Sequence, residues 1–384
     1  MLIRDSAQKI RANQPLETGL SPWVAERLTS YGIDPHERAA QIRARHASFT
    51  AQHRQTPGER VAAVRARLGN LKLKELGLSP NDVVVRELIQ QAALDTYNDD
   101  LIAGRICPEA FVDVREGEYK LRDNSTERQE LDDLIGPKSE AQELPQEITA
   151  GTFKVNSRAR KDYVLRAVAN IAPDIESRMI IAMRIRQHML LQHEIRVATT
   201  LMAAASYDAS CVKTVASGAE WNGGASADPI DDMQDIIAAA RAPLTHGVMS
   251  LEVWQAAQNN DELKAILASQ INNKGLLDPM TFALYFGLDE VHINRGQKVA
   301  SGATSLTRIY GTASIALVHV SSDPEARTFL RNFVLRQGSN GLVSTQWYEP
   351  KMGELGADYE QLAWAQIHKV IDAYYGGLIV DVRQ

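Results

Sequence analysis

From Ile175 to Ala205 the chain reads IESRMIIAMRIRQHMLLQHEIRVATTLMAAA, without a glycine or a proline. With Pro173 and Asp174 opening the run and Ser206 near its end, the spacing predicts one helix of roughly 32 residues, on the order of 48 Å at 1.5 Å per residue. Ile175, Met179, Met183, Leu190, Val197 and Leu201 share a stripe, and Ile181, Ile185 and Ile195 widen it. A rod that long crosses a whole domain, so the rest of the fold has to be arranged around it. It carries no predicted metal site. His188 and His193 lie about 140° apart around the axis, and Val197 stands where a HExxH motif needs its second histidine.

On either side the pattern changes. Residues 1–98 read as short helices broken at Pro15, Gly32, Pro35, Pro57, Gly69 and Pro80, with Ser21–Pro22 and Ser79–Pro80 as cap and first helical residue. Their modest apolar faces predict an arm lying along something else. This arm also concentrates positive charge. Residues 1–80 hold 13 Lys+Arg and 7 Asp+Glu, a net of +6, so the other 304 carry −12 of the overall −6. Such a segment can touch nucleic acid, touch the acidic body of a neighbouring subunit, or serve as a solvated helical surface.

From Gly104 the period shortens to two. AFVDVREGEYKLRD and TFKVNSRARKDYVLRAV alternate apolar and polar residues as strands do. Between them NSTERQELDDLIGPKSEAQELPQE is long and polar, which predicts a hairpin whose tip projects from the core.

The stretch WNGGASADPIDDMQDII, 221–237, resembles a metal or phosphate site at first sight. Asp228 before Pro229 instead predicts a helix cap and first helical residue, followed by Ile230, Met233, Ile236, Ile237 and Ala240 at helical period. Asp231 and Asp232 sit in the first turn, where the helix dipole favours carboxylates. Trp221, Asn222, Gly223 and Gly224 read as the turn that leads into it. Ser226 lies in a broken nucleophile elbow, because Asp228 occupies the second glycine position.

Downstream, THGVMSLEVWQAAQNNDELKAIL predicts a short strand to Met249 and then a helix capped by Ser250, with Leu251, Trp254, Leu263 and Ile266 apolar. IYGTASIALVHVSS and TFLRNFVLRQGSNGLVSTQWYEP alternate as strands, and YEQLAWAQIHKVIDAYYGGLIVDV predicts a last strand or helix pair. Helices and strands intermix without a βαβ repeat, which predicts the α+β class. No phosphate-loop or dinucleotide motif occurs, and Cys107 and Cys211 are too far apart for a CxxC pair, so no metal and no cofactor are predicted. Neither a signal peptide nor a membrane span is predicted, which implies cytoplasmic synthesis.

The order of these parts resembles the major capsid proteins of tailed bacteriophages, the Hong Kong 97-type fold. The resemblance rests on Gly117–Lys120 (GEYK) leading into the polar excursion, GTFKVNSRARKDYVLRAV returning, the long helix with Glu194 near its far end, WNGGASADPIDDM, and VMSLEVWQAAQNNDELKAIL. It covers about residues 100–384. What it implies is an N-terminal arm at 1–100, peripheral-domain segments at 101–116 and 166–218 with the spine helix at 173–206, an extended loop at 117–165, an axial domain at 219–335, and a peripheral return at 336–384. It further implies a structural, non-catalytic subunit of the virion. Such subunits form hexamers and pentamers around double-stranded DNA, with scaffolding, portal and decoration proteins as partners, and assemble in the host cytoplasm.

On that reading Arg158, Arg160 and Lys161 face Glu127, Glu130, Asp132 or Asp133 of an adjoining copy, each exposed pair being worth about 0–1 kcal/mol. Some relatives lose an N-terminal segment to a protease; with Met1 present, the arm is expected to be retained. Others cross-link a lysine to an asparagine, a pair that no motif assigns here. The competing readings are an encapsulin-like nanocompartment shell and a soluble hydrolase using Ser226 or a histidine.

Overall fold

The computed structural model describes residues 29, 34, 36–38, 40–41, 43, 101–122, 148–165, 175–222, 226–268, 277–300, 302–323, 326–338 and 341–383. A short helix α1 (Ala103–Ile106) and strands β1 (Glu109–Val112), β2 (Glu116–Arg122), β3 (Ile148–Lys154) and β4 (Asn156–Leu165) precede the long helix α2 (Ile175–Leu201). β5 (Val212–Thr214) and α3 (Pro229–Ala239) lead to β6 (His246–Ser250), α4 (Leu251–Asn259), α5 (Asp261–Ala268) and α6 (Pro279–Phe286). Strands β7 (Glu290–Asn294), β8 (Gln297–Val299), β9 (Leu306–Arg308), β10 (Ile315–Val318), β11 (Leu330–Leu335), β12 (Leu342–Glu349), β13 (Ala357–Val370) and β14 (Gly376–Val380) follow. The class is α+β, as the sequence predicts.

Helix α2 is the predicted rod, and it stops earlier than Ser206. The Tyr207 hydroxyl donates to the Leu201 carbonyl at 2.6 Å, closing the last turn, and the chain passes into a 3-10 turn at Ala204–Ser206. Its 27 residues span about 40 Å; Pro173 and Asp174 lie outside the described residues. Its two halves serve different cores. Met179, Ala182, Ile185 and Met189 pack on Leu342, Leu362 and Trp364, whereas Val197, Ala198 and Leu201 join Val248, Ala316, Val318 and Leu378. The buried stripe is less apolar than expected, because Arg178, His193 and Glu194 lie within it while Met183 and Leu190 are only half-buried.

One sheet runs β1-β11-β13-β12, with β4 also paired to β13; the other runs β5-β14-β10-β6-β7. The second sheet is covered on one face by Ile230, Met233, Ile236, Trp254 and Phe282 of the surrounding helices, and on the other by α1 and the end of α2. Residues 336–384 contribute strands to both sheets. β13 lies in the first sheet, but β14 pairs with β10 and β5 in the second. Glycine permits this: a Cβ on Gly377 would collide with Ile236 of α3, so only bare backbone slides beneath that helix. β11 pairs with β1 and β13 of the first sheet.

The two alternating stretches before α2 each split. β2 and β3 form an antiparallel ribbon with Tyr119 opposite Gly151, and after Val155 the returning chain joins β13 as β4 over ten residues. Of the extended loop expected at 117–165, the described part is a ribbon of Glu116–Arg122 with Ile148–Lys154, while Asn156–Leu165 find their backbone partners on β13. The base of the ribbon is fixed by aromatic contacts. Tyr119 covers Gly151, and both Tyr119 and Phe153 stack on Phe333, at 5.3 and 4.7 Å.

The helix predicted after Ser250 is two helices. Asn260 ends α4, and its side chain accepts Glu262 N–H and Leu263 N–H to start α5. In the arm, Asp34 caps a helical segment through His36 N–H, and Arg38 reaches Asp289 at 2.8 Å, so this arm cation is paired within its own chain. The caps expected at Ser21 and Ser79 lie outside the described residues. Among the described residues no helix is long and apolar enough to cross a membrane.

Candidate assembly surface

The WNGG stretch is a clasp. Trp221 is buried, and its indole N–H donates to Asp232 at 2.9 Å. Lys213 holds the other Asp232 oxygen at 2.9 Å and also pairs with Asp235. The Trp221 amide donates to Val382 O, and its carbonyl accepts from Asn260. Asp228 accepts Asp231 N–H at 3.0 Å with Pro229 as the first helical residue. Gly223 and Gly224 lie outside the described residues, and Asn222 is exposed. Ser226 is exposed as well, while histidines that might have served as its base are engaged elsewhere: His193 with Gln366, His319 with Pro243 O, His368 with Thr200.

The cations predicted on the returning strand divide between two faces. Along β4 alternate residues point oppositely. Arg158 and Arg160, opposite Trp364 and Leu362, lie on the face that carries α2. Lys161 points to the other, where its ammonium sits 5.7 Å above the Trp347 ring and 5.1 Å above Tyr359. Trp347 and Tyr359 stack at 5.1 Å, with Tyr163 tilted against Tyr359. Lys161 is therefore part of an aromatic patch. Glu127, Glu130, Asp132 and Asp133 lie outside the described residues.

On the helix face the structure gathers a basic group that the sequence reading missed. Arg186 lies 4.5 Å from the centre of the Trp364 ring; His193 meets Trp364 edge-on and lies near His368. Asn332 donates to Gln366 Oε1, so Gln366 Nε2 donates to His193 Nδ1 at 3.3 Å, which holds the imidazole neutral. Burial pushes His193 down to about 3, helped by Arg196, His368, Arg186 and Arg158. Burial and the positive charges of Arg196 and Arg158 bring His368 to about 4. Arg196 falls to about 10 through burial and Arg158. Burial also brings Arg186 to about 10, with Glu109 opposing the shift.

Four buried nitrogens of this group, Arg158 Nε, Arg186 Nε and Nη1, and Arg196 Nη2, have no hydrogen-bond acceptor among the described residues. The signal was present in the sequence as Arg186, His193 and Arg196 at near-heptad spacing along the rod.

Further along the same helix Glu194 is fully buried and accepts Ile102 N–H at 3.0 Å, Ala103 N–H at 2.7 Å and the Tyr310 hydroxyl at 2.6 Å. It satisfies the first amides of α1 and binds the loop before β10. Arg178, at the other end, pairs with buried Asp358 of β13 at 2.8 Å. These two contacts fasten the rod to both sheets.

No sequence family and no curated protein sequence matches the chain. Among solved structures it is similar to a phage-related protein from Bordetella bronchiseptica, with a TM-score of 0.63 at 15% identity over 77% of this chain and 96% of that one. It is also similar to a putative prophage capsid protein of Escherichia coli, at 0.46 and 12% over 77% and 98%, and to the SrpI encapsulin of Synechococcus elongatus, at 0.46 and 9% over 80% and 98%. The likeness to the Bordetella protein gives the chain the fold of that phage-related protein, built here from a two-stranded ribbon, one long helix and two five-stranded sheets.

Proposed function

We propose that this chain is a structural subunit of an icosahedral tailed-phage shell. It assembles into hexamers and pentamers that enclose double-stranded DNA, and it works by fit between copies rather than by catalysis. The first sheet with α2 is its peripheral part and the second sheet its axial part. The observation that carries this reading is the basic group beneath β4 and α2. Each buried donor left without an acceptor costs about 1–3 kcal/mol, so a monomer would keep these guanidinium groups only at a loss.

A partner of opposite charge exists in every neighbouring copy. Residues 123–147, between the ribbon strands, hold eight carboxylates against Arg128 and Lys138, a net of −6. Glu127 and Glu130, with Asp132 and Asp133, are the candidates to meet Arg158, Arg160 and the group behind them. Each such contact is modest, but a ring of identical contacts multiplies it. Scaffolding, portal and decoration proteins, and a virion location, belong to the same proposal.

Negative-stain microscopy of the purified full chain tests it. Closed shells or capsomer rings are expected, and a stable monomer at high concentration would overturn the reading. Nuclease-protected DNA in particles from the native source is expected for a capsid; cargo enzyme without DNA would instead identify a nanocompartment.

A further inference from the structure

The parallel pairing of β6 and β7 places His246 opposite Glu290 and Val248 opposite His292. The pleat puts His246, Glu290 and His292 on one face of the sheet, and one ligand atom from each lies within 4.8 Å of the others. The two imidazoles stack with centroids 5.6 Å apart. His292 is buried, its Nε2 lies 3.5 Å from Glu290 Oε2, and that nitrogen makes no hydrogen bond among the described residues. Glu290 and His292 also line a cavity of about 60 Å³ with Arg105, Pro279, Met280, Ala283 and Val291.

Hydrogen bonding prepares the other imidazole. Thr245 Oγ1 accepts Val320 N–H at 2.8 Å and gives its own proton to Val318 O at 3.2 Å. It can then only accept from His246 Nδ1, 2.8 Å away, which puts the ring's lone pair on Nε2.

We propose that His246, Glu290 and His292 form a zinc-type site that pins the edge strand β7 to β6, holding the ion through two imidazole nitrogens and one carboxylate oxygen with water as a fourth ligand. Two histidines and a carboxylate are a three-ligand set suited to tetrahedral zinc, and the cavity of about 60 Å³ exceeds the roughly 10–15 Å³ needed to hold a water. The nitrogen donors decide the class of ion. Arg105 opposes binding by charge alone, so calcium or magnesium, which rely on oxygen ligands and charge, are disfavoured against a metal that bonds to imidazole.

The full chain, dialysed against EDTA, is titrated with zinc by calorimetry and with cobalt by visible absorption. One zinc per chain is expected, with the intense cobalt bands of four-coordination. The near-isosteric Glu290→Gln and the deletion His292→Ala are each expected to weaken binding at least tenfold. Absence of stoichiometric zinc binding, a weak six-coordinate cobalt spectrum, or affinity unchanged in Glu290→Gln would overturn the proposal. The wild-type cobalt spectrum and Glu290→Gln decide the matter even if His292→Ala fails to fold.

Discussion

Replacing Glu194 by alanine removes one carboxylate and leaves three donors, Ile102 N–H, Ala103 N–H and the Tyr310 hydroxyl, facing a void. Each buried donor left unpaired costs about 1–3 kcal/mol, while removing the buried charge returns part of that. A net loss of about 3–5 kcal/mol is expected. Glutamine separates the terms. Its oxygen still accepts from Ile102 and Tyr310, but its NH2 meets the Ala103 N–H at the place of a 2.7 Å hydrogen bond. Burial outweighs the three donors and raises the Glu194 carboxyl above its usual range, so the neutral amide also avoids the cost of burying a charge. The expected loss for Glu194→Gln is about 1–2 kcal/mol. Urea denaturation of the unassembled chain, read by tryptophan fluorescence, measures both. Equal midpoints for the alanine and glutamine variants, or an alanine variant within about 1 kcal/mol of the parent, would refute this role of Glu194.

Asp358→Ala strands Arg178 in the first-sheet core and is expected to cost about 3–5 kcal/mol in the same assay, whereas an exposed ion pair such as Lys154–Glu116 is expected to yield under about 1 kcal/mol when broken. Acid should loosen the chain before its carboxylates titrate. His193 and His368 have folded values, about 3 and about 4, below the unfolded 6.5, so the unfolded state binds the extra protons and their contribution, complete above pH 6.5, is lost as pH falls. For His193 the full loss is on the order of 5 kcal/mol. Glu194, with its raised value, works in the opposite direction and gains as pH falls. Thermal melting between pH 7.5 and 5 should show a falling Tm whose slope is reduced in His193→Gln, His368 and the other buried imidazoles still contributing; a flat profile in the parent would contradict the buried basic group.

Much of this architecture was readable in advance where local chemistry decides it. The rod follows from the lack of breakers between Ile175 and Leu201, and the start of α3 from the Asp228–Pro229 pair. The end of α2 was not legible, since it depends on the Tyr207 hydroxyl folding back on Leu201. Asn260 looked like one polar residue within a helix because its two roles, ending α4 and capping α5, differ only in backbone angle. Arg158, Arg160 and Lys161 could have been separated by the period of two, but only once the partner strand was known. The partners of Glu194 lie 91 to 116 residues away, and the His246–Glu290–His292 group exists only through the β6–β7 pairing. Contacts of that range depend on topology, which residue patterns leave open. The passage of β14 into the second sheet is of the same kind: the Gly376–Gly377 pair marks a close approach without naming the neighbour.

The proposed assembly rests on the acidic segment between the ribbon strands of one copy meeting the basic group of the next. A cryo-electron microscopy map of assembled particles tests it most directly. Density from residues 123–147 of an adjacent copy, with a carboxylate within about 3 Å of Arg158, Arg186 or Arg196, is the predicted result. A basic group left to solvent in the assembled shell, or met by the same copy's own segment, would contradict it.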